Sequence, residues 1–380
     1  MQRRDHPLLS ATLGTARSVT SFHYGPAGVG PKVYVQASLH ADELPGMLVA
    51  HHLRQQLAAL EREGALLGEV VVVPVANPLG LSQWLLHTAA GRFDLASGAN
   101  FNRHYPALLE SVWQRVEATL DGDAAANVQR IRAALGEAVA ALPVMSELAS
   151  LRRTLLALSC DADVVLDLHC DTEAVMHLYT APELWPQVEP LARCLGAQAS
   201  LLCEESGDDP FDEACSQIWR RLAERAGPLR PVPAACTSVT VELRGNADIA
   251  HPEARADAAA LLAYLVHRGM VRDASAGAAA GTAPALPPLL QPATPLAGSL
   301  PLVAPSSGVV VWLAHPGSWL SAGEPMAELV DPVAGAVTVL SSPTEGLFYA
   351  RISHRFAHAG MSLAKVAGRE ARRSGKLLSD

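Results

Sequence analysis

Four short runs of apolar residues punctuate the first two thirds of the chain: 32–39 (KVYVQASL), 69–75 (EVVVVPV), 163–168 (DVVLDL) and 238–243 (SVTVEL). Each is dense in valine and lacks polar alternation, as expected of strands covered on both faces of a parallel sheet. Between the runs the apolar positions take a helical spacing, as in 44–60 and 252–267. Strands alternating with helices predict an α/β architecture, a mixed and mostly parallel sheet flanked by helices. Such sheets bind ligands just beyond the carboxyl ends of their strands.

Residues 107–158 are rich in Ala, Leu and Arg and helical in pattern, with breaks near 121–123 and at Pro143. They read as an inserted helical pair or lid with a structural role. From 273 to 304 the chain turns to Ala, Gly, Pro, Ser and Thr, the composition of a linker. Short Val/Leu strands separated by Gly and Pro then fill 305–370, and 307–325 and 345–361 form a weak internal repeat. The expected division is an α/β domain over 1–272, a linker and entry to the second domain over 273–304, a C-terminal all-β sandwich or barrel over 305–370, and a polar tail over 371–380.

Composition narrows the function. Of the residues, 49% are apolar and 18% charged, ample for a large core, and the formal net charge is −9. That balance argues against nucleic acid or an anionic membrane as partner. No apolar run reaches the roughly 18–20 residues of a membrane helix. The basic start, Met1 to Pro7, has no apolar stretch behind it and does not read as a secretory signal. The six cysteines show no metal-ligand spacing, so free thiols in a reducing compartment and a cytoplasmic protein are expected.

The densest chemistry follows the first run, at His40-Ala41-Asp42-Glu43. Imidazole and carboxylate are both zinc ligands, and a catalytic zinc takes three protein ligands and keeps one position open. His169, at the end of the third run, is the third candidate, and Asp167 shares its strand face, placed either to orient that imidazole or to face a buried arginine or backbone. Arg92 and the pair Asn102-Arg103 lie in the loops after the second run. An arginine fork binds carboxylate bidentately or stabilises an oxyanion, although a loop salt bridge would use the same residue. Glu242 ends the fourth run. A carboxylate in an apolar strand needs either a partner, with Arg244 the nearest, or a task such as general base.

Taken in order, His40-x-x-Glu43, Asn102-Arg103, Asp167-Leu168-His169 and Val241-Glu242-Leu243 resemble the succinylglutamate desuccinylase/aspartoacylase family, within the zinc-carboxypeptidase fold. The resemblance spans about 30–270, and the β region is similar to that family's C-terminal domain. It implies one zinc per chain on His40, Glu43 and His169, and a general base at Glu242. It also implies carboxylate binding by Asn102 and Arg103, and an oxyanion arginine at Arg92. A further substrate-gripping arginine has no clear counterpart, and Arg230 is the nearest candidate.

The function expected from the resemblance is removal of an acyl group from a small N-acyl amino acid, with self-association through the β region as a possible addition. A carboxypeptidase-like hydrolase acting on peptide ends is the nearest rival. A binding or carrier module is another, since the repeat looks biotinyl- or lipoyl-like. A carrier needs a lysine at its hairpin tip, and none lies between Lys32 and Lys365. Other motifs are set aside. The 25–30 glycine loop precedes a strand, no Gly-x-Ser-x-Gly elbow occurs, and His51, His52, His87 and His177 read as core or surface histidines. The acidic stretch 204–213 reads either as a solvated loop or as a border of the cleft that attracts a cationic substrate, with Asp208 and Asp209 facing it.

Overall fold

A computed structural model describes residues 1–272 and 285–378. The chain opens with β1 (Gln2–Pro7) and β2 (Ser18–Tyr24), an antiparallel pair invisible in the apolar pattern because β1 turns Arg3, Arg4 and Asp5 to solvent. The strand β3 (Lys32–Ala37), helix α1 (Pro45–Arg62) and strand β4 (Glu69–Val73) follow. Residues 107–158 hold three helices and not a pair: α2 (Leu109–Val116), α3 (Ala124–Ala140) and α4 (Glu147–Ser159). The breaks are built by caps. Asp123 Oδ1 accepts from the amides of Ala125 and Ala126, and Ser146 Oγ from that of Ala149, each cap worth about 1 kcal/mol.

Next come β5 (Val164–Asp171), the two-residue β6 (Glu173–Ala174), β7 (His177–Thr180), α5 (Trp185–Leu195), β8 (Ala199–Leu202), α6 (Phe211–Ala226), β9 (Thr237–Gly245) and α7 (His251–His267). With β10 (Thr294–Pro295) these strands form one nine-stranded sheet in the order β1-β2-β4-β3-β5-β9-β7-β8-β10. Its centre, β4-β3-β5-β9, is parallel, and β9–β7 is antiparallel. One face packs on α1, α5 and α7 through Val49, Leu53, Leu57, Leu191 and Leu261. The other packs on α2, α3, α4 and α6 through Ile131, Leu151, Phe211 and Trp219. Fully burying each such side chain contributes about 1.5–3 kcal/mol. The inserted helices therefore complete the core and do not act as a lid.

The C-terminal region is antiparallel throughout. Its strands are β11 (Ser299–Val303), β12 (Gly308–Trp312), β13 (Trp319–Leu320), β14 (Pro325–Asp331), β15 (Ala336–Ser341), β16 (Gly346–Arg351), β17 (Phe356–Ala357) and β18 (Ser362–Ala367). Two sheets, β11-β18-β16-β13 and β15-β14-β12-β17, enclose Val310, Met326, Phe348 and Leu363. The β region starts at Ser299, within the 273–304 linker and entry segment, because Leu300 and Leu302 pair with β18. Residues 273–284 of that linker lie outside the described residues. The expected polar tail is anchored, with Leu377 buried and its amide donating to Ser206 O at 2.8 Å.

The two regions interlock. β6 pairs with β16, and Val175, Tyr179 and Leu201 share one apolar cluster with Leu296, Leu347, Tyr349 and Leu377. Among the described residues no helix is long and apolar enough to cross a membrane.

Candidate metal centre

Parallel register assembles the site. Glu242 on β9 lies opposite His169 on β5, and Thr240 opposite Asp167. Alternation along the strands therefore sets all four on one face. On the other side of β5, β3 ends at Ala37 and the chain turns through Ser38, whose φ of 62° is left-handed. This strained turn, about 1–3 kcal/mol for a non-glycine residue, carries His40 and Glu43 back over the sheet before Pro45 starts α1.

His40, Glu43 and His169 are buried, and their ligand atoms lie within 4.8 Å of one another. Glu43 presents one oxygen to each imidazole, with Oε1 2.9 Å from His40 Nδ1 and Oε2 2.8 Å from His169 Nδ1. The far nitrogens face acceptors. His40 Nε2 donates to Asn100 Oδ1 at 2.9 Å, and His169 Nε2 lies 3.1 Å from Asp167 Oδ2. Asn100 Oδ1 also accepts from the Asn102 amide, and Gln36 holds the other Asp167 oxygen. With an oxygen partner on each Nε2, it is the Nδ1 of each ring that turns to the Glu43 carboxylate. Two imidazole nitrogens and a carboxylate converging in a buried pocket are a donor set that fits zinc.

The electrostatics favour a cation there. Burial, then Arg92, push His40 down to about 4. Burial opposes a charged His169, but Asp167 and Glu43 outweigh it and raise its pKa well above the usual imidazole value. Burial likewise opposes a charged Glu43, yet the two histidines hold its carboxyl well below the usual range.

Residues 29–142, which include His40, Glu43, Arg92, Asn102 and Arg103, match the model of the succinylglutamate desuccinylase/aspartoacylase catalytic domain. A solved structure of a protein described as of that family, from Shewanella amazonensis SB2B, is 29% identical, with a TM-score of 0.82 over 97% of this chain and 98% of its own. Another, from Shewanella frigidimarina NCIMB 400, is 26% identical, with a TM-score of 0.83 over 97% of each chain. The chain is related to the succinylglutamate desuccinylase/aspartoacylase family. The ectoine utilization protein EutE (DoeB) from Ruegeria pomeroyi, at 14% identity and a TM-score of 0.66 over 96% of this chain and 93% of its own, shares the fold. No curated protein matches the sequence.

The remaining residues that the desuccinylase/aspartoacylase resemblance singles out fall around this cluster with one exception. Glu242 lines the same cavity, and its Oε2 is buried without a hydrogen-bond partner among the described residues. Arg244, its alternative partner, is committed to Asp257. Burial, then repulsion from Glu43, push Glu242 up to about 8, and a divalent cation nearby would pull it back down. Arg92 Nη1 sits 3.2 Å from His40 Nδ1 and 3.3 Å from Glu43 Oε1. Its loop packs so closely on the His40 loop that a Cβ at Gly91 would lie 2.7 Å from the Ala41 carbonyl carbon. Asn102 Nδ2 is 3.4 Å from His169 Nε2, its Oδ1 accepts from the Phe211 amide, and Arg103 lines the cavity. Arg230 is the exception. It donates to the carbonyls of Ala226 and Glu117, away from the cavity.

The cavity, about 260 Å³, takes one wall from the C-terminal region. Tyr349, Lys365 and Arg373 of the C-terminal region line it, and Lys365 Nζ pairs with Asp171 at 2.7 Å. The acidic stretch differs from expectation. Asp208 turns to Lys376, and neither Asp208 nor Asp209 lines the cavity, whereas Glu204, Asp212 and Glu213 do. Asn100, two residues before Asn102, is fixed in turn by its backbone carbonyl, which accepts from Arg152 of α4. Its spacing gave no hint that it would hold His40.

Proposed function

We propose that the protein is a zinc-dependent amidohydrolase that removes an acyl group from a small N-acyl amino acid. The observation that carries this reading is the unpartnered Glu242 carboxylate beside a buried His-Glu-His donor set in one cavity. His40, Glu43 and His169 would hold the zinc, which supplies Lewis acidity and lowers the pKa of water. Glu242 takes the proton of the attacking water and returns it to the departing nitrogen, a role suited to a carboxyl raised toward neutrality. Arg92, half exposed at the cluster, donates to the carbonyl oxygen as negative charge develops on it. Asn102 and Arg103 grip the substrate carboxylate.

The walls supplied by Tyr349, Lys365 and Arg373 restrict the cavity to about 260 Å³, which favours a small substrate over a peptide end. For self-association we propose the outer face of the β15-β14-β12-β17 sheet, where Val309, Val311, Val337, Val339 and Phe356 are exposed. The test of activity is amine release by the metal-loaded protein from N-acetyl, N-formyl and N-succinyl amino acids. Release from none of them, with intact peptides cleaved instead, would replace this reading by the peptidase one.

A further inference from the structure

We propose that the end of the cavity remote from Glu242 is a subsite for an ammonium group, so that the amino acid preferred in the amide substrate has a side chain ending in a primary amine. This rests on the amidohydrolase reading for the chemistry, but the subsite is argued from its own residues.

The floor is β9. Ser238, Thr240 and Glu242 all line the cavity from one strand face, so at about 3.3 Å per residue Thr240 lies roughly 7 Å and Ser238 roughly 13 Å from Glu242. That reach suits an amino-acid side chain of ornithine or lysine length. The opposite wall is the start of α6 and the loop before it, which present Ser206, Asp212, Glu213 and Gln217.

Two observations on this wall and floor point to a ligand. Ser238 Oγ belongs to a residue only 2% exposed, lines the cavity, and has no hydrogen-bond partner among the described residues. Buried hydroxyls are normally satisfied, so one left open on a cavity waits for a polar atom from outside. On the opposite wall Glu213 is held in place, its Oε1 accepting from the Ser206 amide at 2.8 Å and its Oε2 from Gln217 Nε2 at 2.5 Å. Asp212 is its neighbour on the wall.

Burial pushes Asp212 up to about 6 and Glu213 up to about 7, and a cation bound beside them would pull both down; the two C-terminal cations of the cavity are engaged elsewhere. Lys365 pairs with Asp171, and Arg373 gives its two Nη atoms to the carbonyls of Ser299 and Leu377. Among the described residues neither pairs with Asp212 or Glu213. Hydroxyl and carboxylate oxygens around one space accept hydrogen bonds, and an ammonium brings three donors and no acceptor. A carboxylate side chain would meet the Asp212 and Glu213 carboxyl groups on this wall.

Calorimetry of the metal-loaded protein with lysine, norleucine and glutamate tests the subsite without chemistry. Lysine should bind at least about tenfold tighter than norleucine, its neutral counterpart, and glutamate weakest of the three. Glu213→Gln and Ser238→Ala should each shrink the lysine-to-norleucine ratio, and rescue by Glu213→Asp should be partial. Equal affinities, tighter glutamate, no binding of any of the three, or an unaltered ratio in both variants overturns the subsite. Hydrolysis of the three N-acetyl derivatives is measured alongside. Lysine preference in binding with no hydrolysis sinks the amidohydrolase reading alone, whereas hydrolysis without that preference sinks the subsite alone.

Discussion

The two ends of the one cavity are built on opposite principles. At the His40–Glu43–His169 end the three donor residues are held from behind: Asn100 behind His40, Asp167 behind His169, Gln36 behind Asp167, and the Cys170 amide behind Glu43. At the Ser206–Ser238 end the buried Ser238 hydroxyl has no partner among the described residues. Chemistry needs donors held in place before the substrate arrives, whereas recognition leaves hydrogen-bonding capacity for the ligand to complete. The Glu242 oxygen, which has no hydrogen-bond partner among the described residues, belongs to the residue proposed to exchange a proton.

The largest break comes from the donor set. His40→Ala or His169→Ala should remove bound metal and activity together while circular dichroism stays native, and metal analysis after dialysis checks it. A full equivalent of zinc in both variants would show that the cluster is not the metal site. Glu242→Gln should next separate the functions, retaining the metal but lowering turnover by about 10²–10⁴. Third is Asn100→Ala, which frees the His40 ring without touching a ligand. Weakening of metal affinity by about 10–100-fold is expected, read by competition with a chelator, and unchanged affinity would mean that Asn100 serves only its loop.

The same contrast explains what was legible in the sequence. His40, Glu43, His169 and Glu242 stand at the ends of apolar runs, and parallel strands deliver their ends to one edge, so spacing alone exposes them. The remote end obeys no such rule. Lys365 reaches the cavity because β6 pairs with β16 across almost 180 residues, and Leu377 because the tail folds back onto Ser206. Within the acidic stretch, left-handed backbone at Asp208 and Asp209 and a pairing with Lys376 decide which carboxylates turn inward. Periodicity registers neither backbone hand nor a partner so distant in the chain. The β1–β2 edge was missed for a simpler reason, since a solvent-facing strand carries no apolar run.

The smallest expected effect is also the sharpest separation of the two ends, because it has the unusual sign. A buried hydroxyl without a partner costs about 1–3 kcal/mol, and a ligand-free protein bears that cost at Ser238. Ser238→Ala removes the oxygen and leaves a space too small to matter much, so it should stabilise the fold by about 1 kcal/mol or slightly less, raising Tm by one to three degrees. Substitution at a partnered hydroxyl should do the reverse. Ser21 Oγ lies 2.8 Å from both His6 Nε2 and His23 Nε2, and Ser21→Ala should lower Tm. Saturating lysine should then raise Tm more for wild type than for Ser238→Ala, because only wild type has the hydroxyl to offer. If Ser238→Ala melts lower than wild type without ligand, its hydroxyl is satisfied in the folded protein, and the contrast between a filled catalytic end and an open recognition end is lost.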